Sequence, residues 1–179
     1  GATVFRGSEE DVLDRYYRAA KLHRADLIVR VTSDCPVIDP AAVDRVTGYF
    51  LDHSLEFDYV SNTQVRTYPR GMDTEVFSFG ALERAWNEAD TAHDREHVTP
   101  FLYRHPEWFR LGQVTRDDDQ SAHRWSVDTA EDFELIRRII EALYPENPGF
   151  RLEDILKLLN LKPELVAINA RRAQENLGR

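Results

Sequence analysis

The run Leu27 to Val31 is apolar and rich in β-branched residues, and it is stopped by Thr32-Ser33-Asp34-Cys35-Pro36. Proline cannot donate to a sheet ladder, so a short buried strand is expected to empty here into a polar loop. Helical patterns flank it. Upstream, Ser8 precedes Glu9 to Lys21, where Val12, Leu13, Tyr16, Tyr17 and Ala20 recur at helical spacing and Asp11 stands three positions after the expected cap. Downstream, Asp39-Pro40 offers a side-chain cap and a first-turn proline to a helix carrying Val43, Val46, Tyr49 and Phe50. Helix, strand, helix in so short a span limits the chain to folds that mix the two elements.

The rest of the chain continues the alternation. Strands are expected at Phe57 to Ser61, Glu75 to Phe79, Phe109 to Thr115 and Arg124 to Val127, with Tyr68-Pro69-Arg70-Gly71 as a turn. Helices are expected at Gly80 to Glu88, within Asp94 to Arg104, and at Ala130 to Leu143, Leu152 to Leu159 and Leu165 to Ala173. This order favours an α/β class with a mostly parallel sheet, in which ligands sit beyond the carboxyl ends of strands. No repeat or Gly/Pro-rich linker interrupts it, so residues 1–179 read as a single domain.

Composition narrows the function. The 23 Lys plus Arg against 32 Asp plus Glu give a net charge of −9, which argues against a basic nucleic-acid surface. Apolar runs are a few residues long, far short of the roughly 20 needed to cross a bilayer. One cysteine, Cys35, cannot form an internal disulfide, and the start Gly1-Ala2-Thr3-Val4-Phe5 lacks signal-peptide character, so a cytoplasmic location is expected.

Two aspartates stand where strands should end. Asp34 follows the first strand, and Asp128 follows Arg124 to Val127 and precedes a helix. Paired carboxylates at strand ends suit magnesium, which keeps several waters and is held by one or two carboxylates together with substrate phosphates. The alternative is structural: Asp34 shapes a turn, and Asp128 with Glu131 forms an acidic capping box. Asp39 is read as a cap. His93-Asp94-Arg95-Glu96-His97 fits the H-x-x-E-H pattern of a zinc hydrolase, but Pro100, three residues on, would remove the helical hydrogen bond to Glu96. Tyr68, Arg70, Asp73 and Glu75 would suit a polyhydroxylated acidic ligand, or an exposed turn and edge strand. Arg95 and Arg124 could clamp phosphate or carboxylate, or form surface ion pairs. Asp117-Asp118-Asp119 is read as a solvated bend, and Cys35 as a small buried side chain.

Taken jointly, Val4 to Tyr17, Thr32-Ser33-Asp34-Cys35-Pro36-Val37-Ile38-Asp39-Pro40, Tyr68-Pro69-Arg70-Gly71-Met72-Asp73, Glu75-Val76-Phe77-Ser78, Arg95-Glu96-His97-Val98-Thr99-Pro100 and Arg124-Trp125-Ser126-Val127-Asp128-Thr129 resemble the SpsF-type cytidylyltransferases of spore coat polysaccharide biosynthesis. These are related to the synthetases that activate sialic acid and ketodeoxyoctonate. The resemblance implies a Rossmann-like nucleotide-diphospho-sugar transferase fold, often homodimeric. The implied reaction transfers CMP from CTP, or another nucleoside triphosphate, to a sugar or sugar acid with release of pyrophosphate. It further implies Thr32, Ser33 and Asp34 at the nucleotide, Asp34 and Asp128 on Mg2+, and Tyr68, Arg70, Asp73, Glu75, Arg95, His97 and Arg124 near the acceptor.

One departure stands out. Family members begin with a strand and a Gly-rich loop carrying Arg and Lys that wraps the triphosphate, whereas this sequence opens downstream of that loop. The expectation is therefore the larger C-terminal part of a nucleotidyltransferase domain, N-terminally incomplete and impaired in turnover. A sugar-binding or assembly module without activity is the non-enzyme alternative.

Overall fold

The computed structural model describes residues 2–170. In chain order its elements are α1 (Val12–His23), β1 (Leu27–Arg30), α2 (Pro40–Asp52), β2 (Tyr59–Ser61), β3 (Glu75–Ser78), α3 (Phe79–Glu88), α4 (Ala92–His97), α5 (Pro100–Arg104), β4 (Leu111–Gln113), α6 (Ala130–Leu143) and α7 (Leu152–Leu161), followed by a 3₁₀ turn at Pro163–Ile168. The expected helix from Leu165 is thus a 3₁₀ segment that starts earlier, and its last residues, 171–173, lie outside the described residues. The chain divides into two compact units that interleave in sequence. Among the described residues, one comprises residues 2–30, 46–61 and 75–113, the other residues 31–45, 62–74 and 114–170.

The first unit holds the sheet, in the order β1-β3-β2-β4. Strand β3 pairs antiparallel with both β1 and β2, and only β2 and β4 run parallel. The class is mixed α/β as expected, but the mostly parallel sheet is not what these strands build. Residue periodicity reports which face of a strand is buried and carries no information on its direction. Leu13 and Tyr17 of α1, Ile28, Tyr59 and Phe77 of the sheet, and Leu82 of α3 meet in this unit's core. Helix α1 begins one turn later than the sequence suggests. Ser8 Oγ accepts the Asp11 N–H at 2.9 Å, and Asp11 in turn caps the helix by accepting the Asp14 N–H at 2.9 Å.

The second unit is built on α6 and α7. Its core gathers Val37, Tyr68, Met72, Trp125, Ile139 and Ile155. Helix α6 spans the residues its periodicity predicts, with Leu135, Ile136 and Ile139 buried. The expected strand Arg124 to Val127 is reduced to a single parallel bridge between Arg70 and Arg124. Asp39 ties two helix starts together. One carboxylate oxygen accepts the Ala41 N–H in the first turn of α2 at 2.8 Å, and the other accepts the Leu152 N–H of α7 at 3.0 Å. Each is an orphan donor that a helix N-terminus must satisfy somehow, so one buried carboxylate fixes both.

Candidate functional site

Three segments of the second unit are stitched together by main-chain hydrogen bonds. The Val127 N–H donates to the Asp34 carbonyl at 2.8 Å. The Trp125 N–H donates to the Arg70 carbonyl at 2.7 Å, and the Arg70 N–H to the His123 carbonyl at 3.0 Å. The loop that follows β1 in the chain, the Tyr68–Gly71 turn and the segment before α6 therefore lie side by side. Gly71 makes the closest of these approaches possible. Its φ is +101°, and a Cβ there would stand 2.7 Å from the Trp125 carbonyl carbon.

This arrangement seats Asp34 beside the residue preceding Asp128. Asp34 is half-buried; the Asp128 side chain is 57% exposed, with one carboxylate oxygen bonded by Arg124 Nη2. The loop carrying Asp34 is pinned from within: the Cys35 N–H donates to the Thr32 carbonyl at 3.3 Å, and the buried Cys35 thiol contacts Thr32 Oγ1 at 3.3 Å. Burial pushes that thiol up to about 11, an effect that Thr32 opposes and the negative charges of Asp34 and Asp73 reinforce. Cys35 is accordingly an inert packing residue and not a nucleophile.

Sequence reasoning missed the residue that organises this corner. Asp132, fully buried, accepts from Arg124 Nε at 3.1 Å, from the Asp128 and Thr129 N–H groups at 3.2 Å each, and from Asn169 Nδ2 at 2.8 Å. Burial disfavours its charge, but the hydrogen bonds from Arg124, Asn169 and Asp128 outweigh it and hold the carboxyl below the ordinary carboxylate range. The capping box of α6 is thus Thr129 with Asp132, one residue later than the Asp128 and Glu131 pairing. Thr129-Ala130-Glu131-Asp132 carried that signal. Asn169, 37 positions away, carried none.

The acceptor-side candidates divide between the units. In the second, Tyr68 is buried in the core, and Arg66 grips Asp73 through two bonds of 2.6 and 2.8 Å. Burial, with Arg66 and Arg124 near, lowers the pKa of the Arg70 guanidinium, and Asp73 opposes the shift. This is a cationic corner balanced by carboxylates.

Glu75, Arg95 and His97 belong to the first unit. Glu75 is buried on β3, where it pairs with Arg30 and accepts from the Tyr59 hydroxyl at 2.6 Å. Arg95 fastens α4 to its neighbours, with Nη2 bonding Asp11 at 2.6 Å and Nη1 bonding the Trp86 carbonyl at 2.7 Å. His93 and His97 do face each other, ring centroids 4.4 Å apart, on an exposed six-residue helix. Among the described residues, however, no group of three His, Cys, Asp or Glu side chains is placed to hold a metal, so a zinc-hydrolase reading finds no third protein ligand. The acidic triplet is a bend as expected: Asp118 pairs with Arg116, and Asp119 accepts the Ser121 N–H at 2.8 Å.

Among the described residues, no helix is long and apolar enough to cross a membrane. A family model described as Cytidylyltransferase matches residues 1–166. The uncharacterized protein MJ1063 of Methanocaldococcus jannaschii is 36% identical over 178 residues, covering 98% of this chain and 70% of that protein. The spore coat polysaccharide biosynthesis protein SpsF of Bacillus subtilis is 30% identical over 167 residues, covering 92% of this chain and 67% of its own. A solved cytidylyltransferase from Leptospira borgpetersenii serovar Hardjo-bovis superposes with a TM-score of 0.88 at 32% identity, over 93% of this chain and 69% of that one.

Proposed function

Because the chain belongs to the cytidylyltransferase family, we propose that it takes part in transferring CMP from CTP to a sugar or sugar acid for surface polysaccharide synthesis, with Asp34 and Asp128 at the nucleotide phosphates. The observation that carries this reading is the 2.8 Å bond from the Val127 N–H to the Asp34 carbonyl, which sets the two acidic positions on adjacent strips of backbone.

The donor set suits Mg2+. Asp34 and Asp128 are the residues that would hold it, as one or two carboxylates hold a hard cation that keeps its waters and completes its shell with phosphate oxygens. Bound there, the ion would neutralise phosphate charge and align the α-phosphate with the incoming oxygen. The chain's own contribution is positioning. Asp132 fixes the Asp128 main chain through its N–H, and Arg124 bonds the Asp128 side chain, so one carboxylate oxygen is held and the rest of the group faces outward. Thr32 and Ser33 lie on the same loop as Asp34, where their hydroxyls can meet the nucleotide. Arg70 and Arg124 supply positive charge for an acidic acceptor. The acceptor hydroxyl would attack the α-phosphate in line, a P–O bond to the sugar forming as the bond to pyrophosphate breaks and the hydroxyl proton is released to solvent.

Calorimetry tests the reading. CTP should give a heat that requires Mg2+ and disappears in Asp34→Ala and Asp128→Ala. CTP binding indifferent to Mg2+ and to both substitutions would refute it. A homodimer in a cytoplasmic setting completes the proposal, and sedimentation at micromolar concentration tests the dimer.

A further inference from the structure

The two histidines of α4 are placed unlike the others. Of the six in the chain, His53 and His105 each donate from Nδ1 to the carbonyl four residues back, at 2.9 and 2.7 Å, and His123 is half-buried beside the Trp125 ring. His93 and His97 stand one helical turn apart in solvent, their rings meeting edge to face with centroids 4.4 Å apart and planes at 66°. Among the described residues, neither ring enters a hydrogen bond or an ion pair. Side chains four apart share one face of a helix, so both imidazoles can turn toward a single point in front of it.

The turn that carries the pair is held from within, by the residues between the two rings. Asp94 is buried, accepts the Thr91 hydroxyl at 2.6 Å and pairs with Arg104, while Thr91 Oγ accepts the Asp94 N–H at 3.1 Å. Arg95 is bonded to Asp11 and to the Trp86 carbonyl. The Val98 N–H closes the end of the turn on the Asp94 carbonyl at 3.0 Å. A helix of six residues is not stable by itself, but these bonds fix the backbone under both rings. An ion joining them therefore has to order only two exposed side chains. Charge favours a cation as well. Exposed Glu88, Asp90 and Glu96 lie along residues 88–97, and Arg95, the one Lys or Arg in that stretch, is neutralised by Asp11.

We propose that His93 and His97 form a two-imidazole binding site for a first-row divalent transition ion such as Ni2+ or Cu2+, with water completing its shell. Imidazole nitrogen suits these ions, whereas Mg2+ takes oxygen ligands. A zinc hydrolase would need a third protein ligand. Binding does not, and an ion bridging positions 93 and 97 would lock the turn between them. The site is independent of the CMP-transfer reading, since Asp34 and Asp128 belong to the other unit.

Ni2+ is the probe, titrated calorimetrically into the metal-stripped 179-residue protein without nucleotide. The expected result is saturable binding of one ion per chain, with affinity falling about tenfold or more in His93→Ala and in His97→Ala. Either replacement destroys the chelate, so the double replacement should add little to the loss. His53→Ala, which also removes an imidazole from the first unit, should bind as wild type. Excess Mg2+ should not displace Ni2+, and Cu2+ should bind more tightly than Ni2+. Ni2+ should also raise the melting temperature of the wild type and leave that of His97→Ala unmoved, because the ion recognises the folded turn. Circular dichroism confirms that the variants are folded. Absence of saturable Ni2+ heat overturns the proposal. So does binding that ignores both α4 replacements, or that His53→Ala weakens equally, since the ion is then adventitious.

Discussion

Truncating Asp132 tests the account of the second unit most directly. Its carboxylate is fully buried and is the shared acceptor for Arg124, for two main-chain N–H groups and for Asn169. Removing one partner of a buried ion pair costs about 3–5 kcal/mol, because a charge is left without compensation. Here Arg124 keeps a second partner in the exposed Asp128, which places Asp132→Ala near the lower end, about 3 kcal/mol. With a urea slope of about 2 kcal/mol/M, the unfolding midpoint should fall by about 1.5 M. Asp132→Asn keeps an acceptor and loses only the charge, so its midpoint should lie between the two. The double replacement Arg124→Met with Asp132→Leu should cost less than Asp132→Ala alone, since no buried charge is stranded. A midpoint for Asp132→Ala within about 0.3 M of wild type, or a double variant as damaged as the sum of its singles, would sink the claim that this pair organises the corner.

Gly71→Ala should destabilise by about 2 kcal/mol or more, as read from thermal melting: φ is +101° and the added Cβ would press on the Trp125 carbonyl, so an unchanged melting temperature contradicts the geometry. Cys35 should react slowly with thiol reagents in the native protein at pH 8, with the rate climbing toward pH 11 and jumping on unfolding, because burial holds the thiol up at about 11. Acid should destabilise the protein through Asp132 and Asp39. The hydrogen bonds of Asp132 outweigh its burial, and bonds from Leu152, Ala41 and Arg151 do the same for Asp39, so both carboxyls lie below their unfolded value. Their stabilisation is complete above an unfolded pKa of about 3.9 and is lost as pH falls through the lower folded values. Asp39→Asn should flatten that acid limb in urea titrations from pH 6 to pH 2, and an equally steep limb would count against the assignment.

The elements that local pattern could reveal were those whose causes are local. Helix α6 runs from Ala130 to Leu143 as its apolar spacing requires, and Asp39-Pro40 starts α2. Boundaries failed where two nearby residues competed for one role. Ser8 and Asp11 both suit a cap, and the choice fell to Asp11. Asp128 with Glu131 and Thr129 with Asp132 both read as capping boxes, and only the second forms. The 124–127 segment is expected from sequence to be a short strand. It gains one bridge to Arg70 and no ladder.

From sequence alone, the chemical inventory was fixed: acidic residues in the loop after a buried run and ahead of a long amphipathic helix, arginines near them, one cysteine with no partner, and family segments in a consistent order. Spacing along the chain determines caps, faces and turns because those interactions reach only a few residues. The tertiary structure decided which distant groups share a neighbourhood. It set Asp34 against Val127, brought Asn169 onto Asp132, committed Arg95 to Asp11 and Glu75 to Arg30, and reversed β3 between β1 and β2. A hydrogen bond or ion pair depends on distance in space and is indifferent to separation in sequence, so these partners became visible only once the chain was folded.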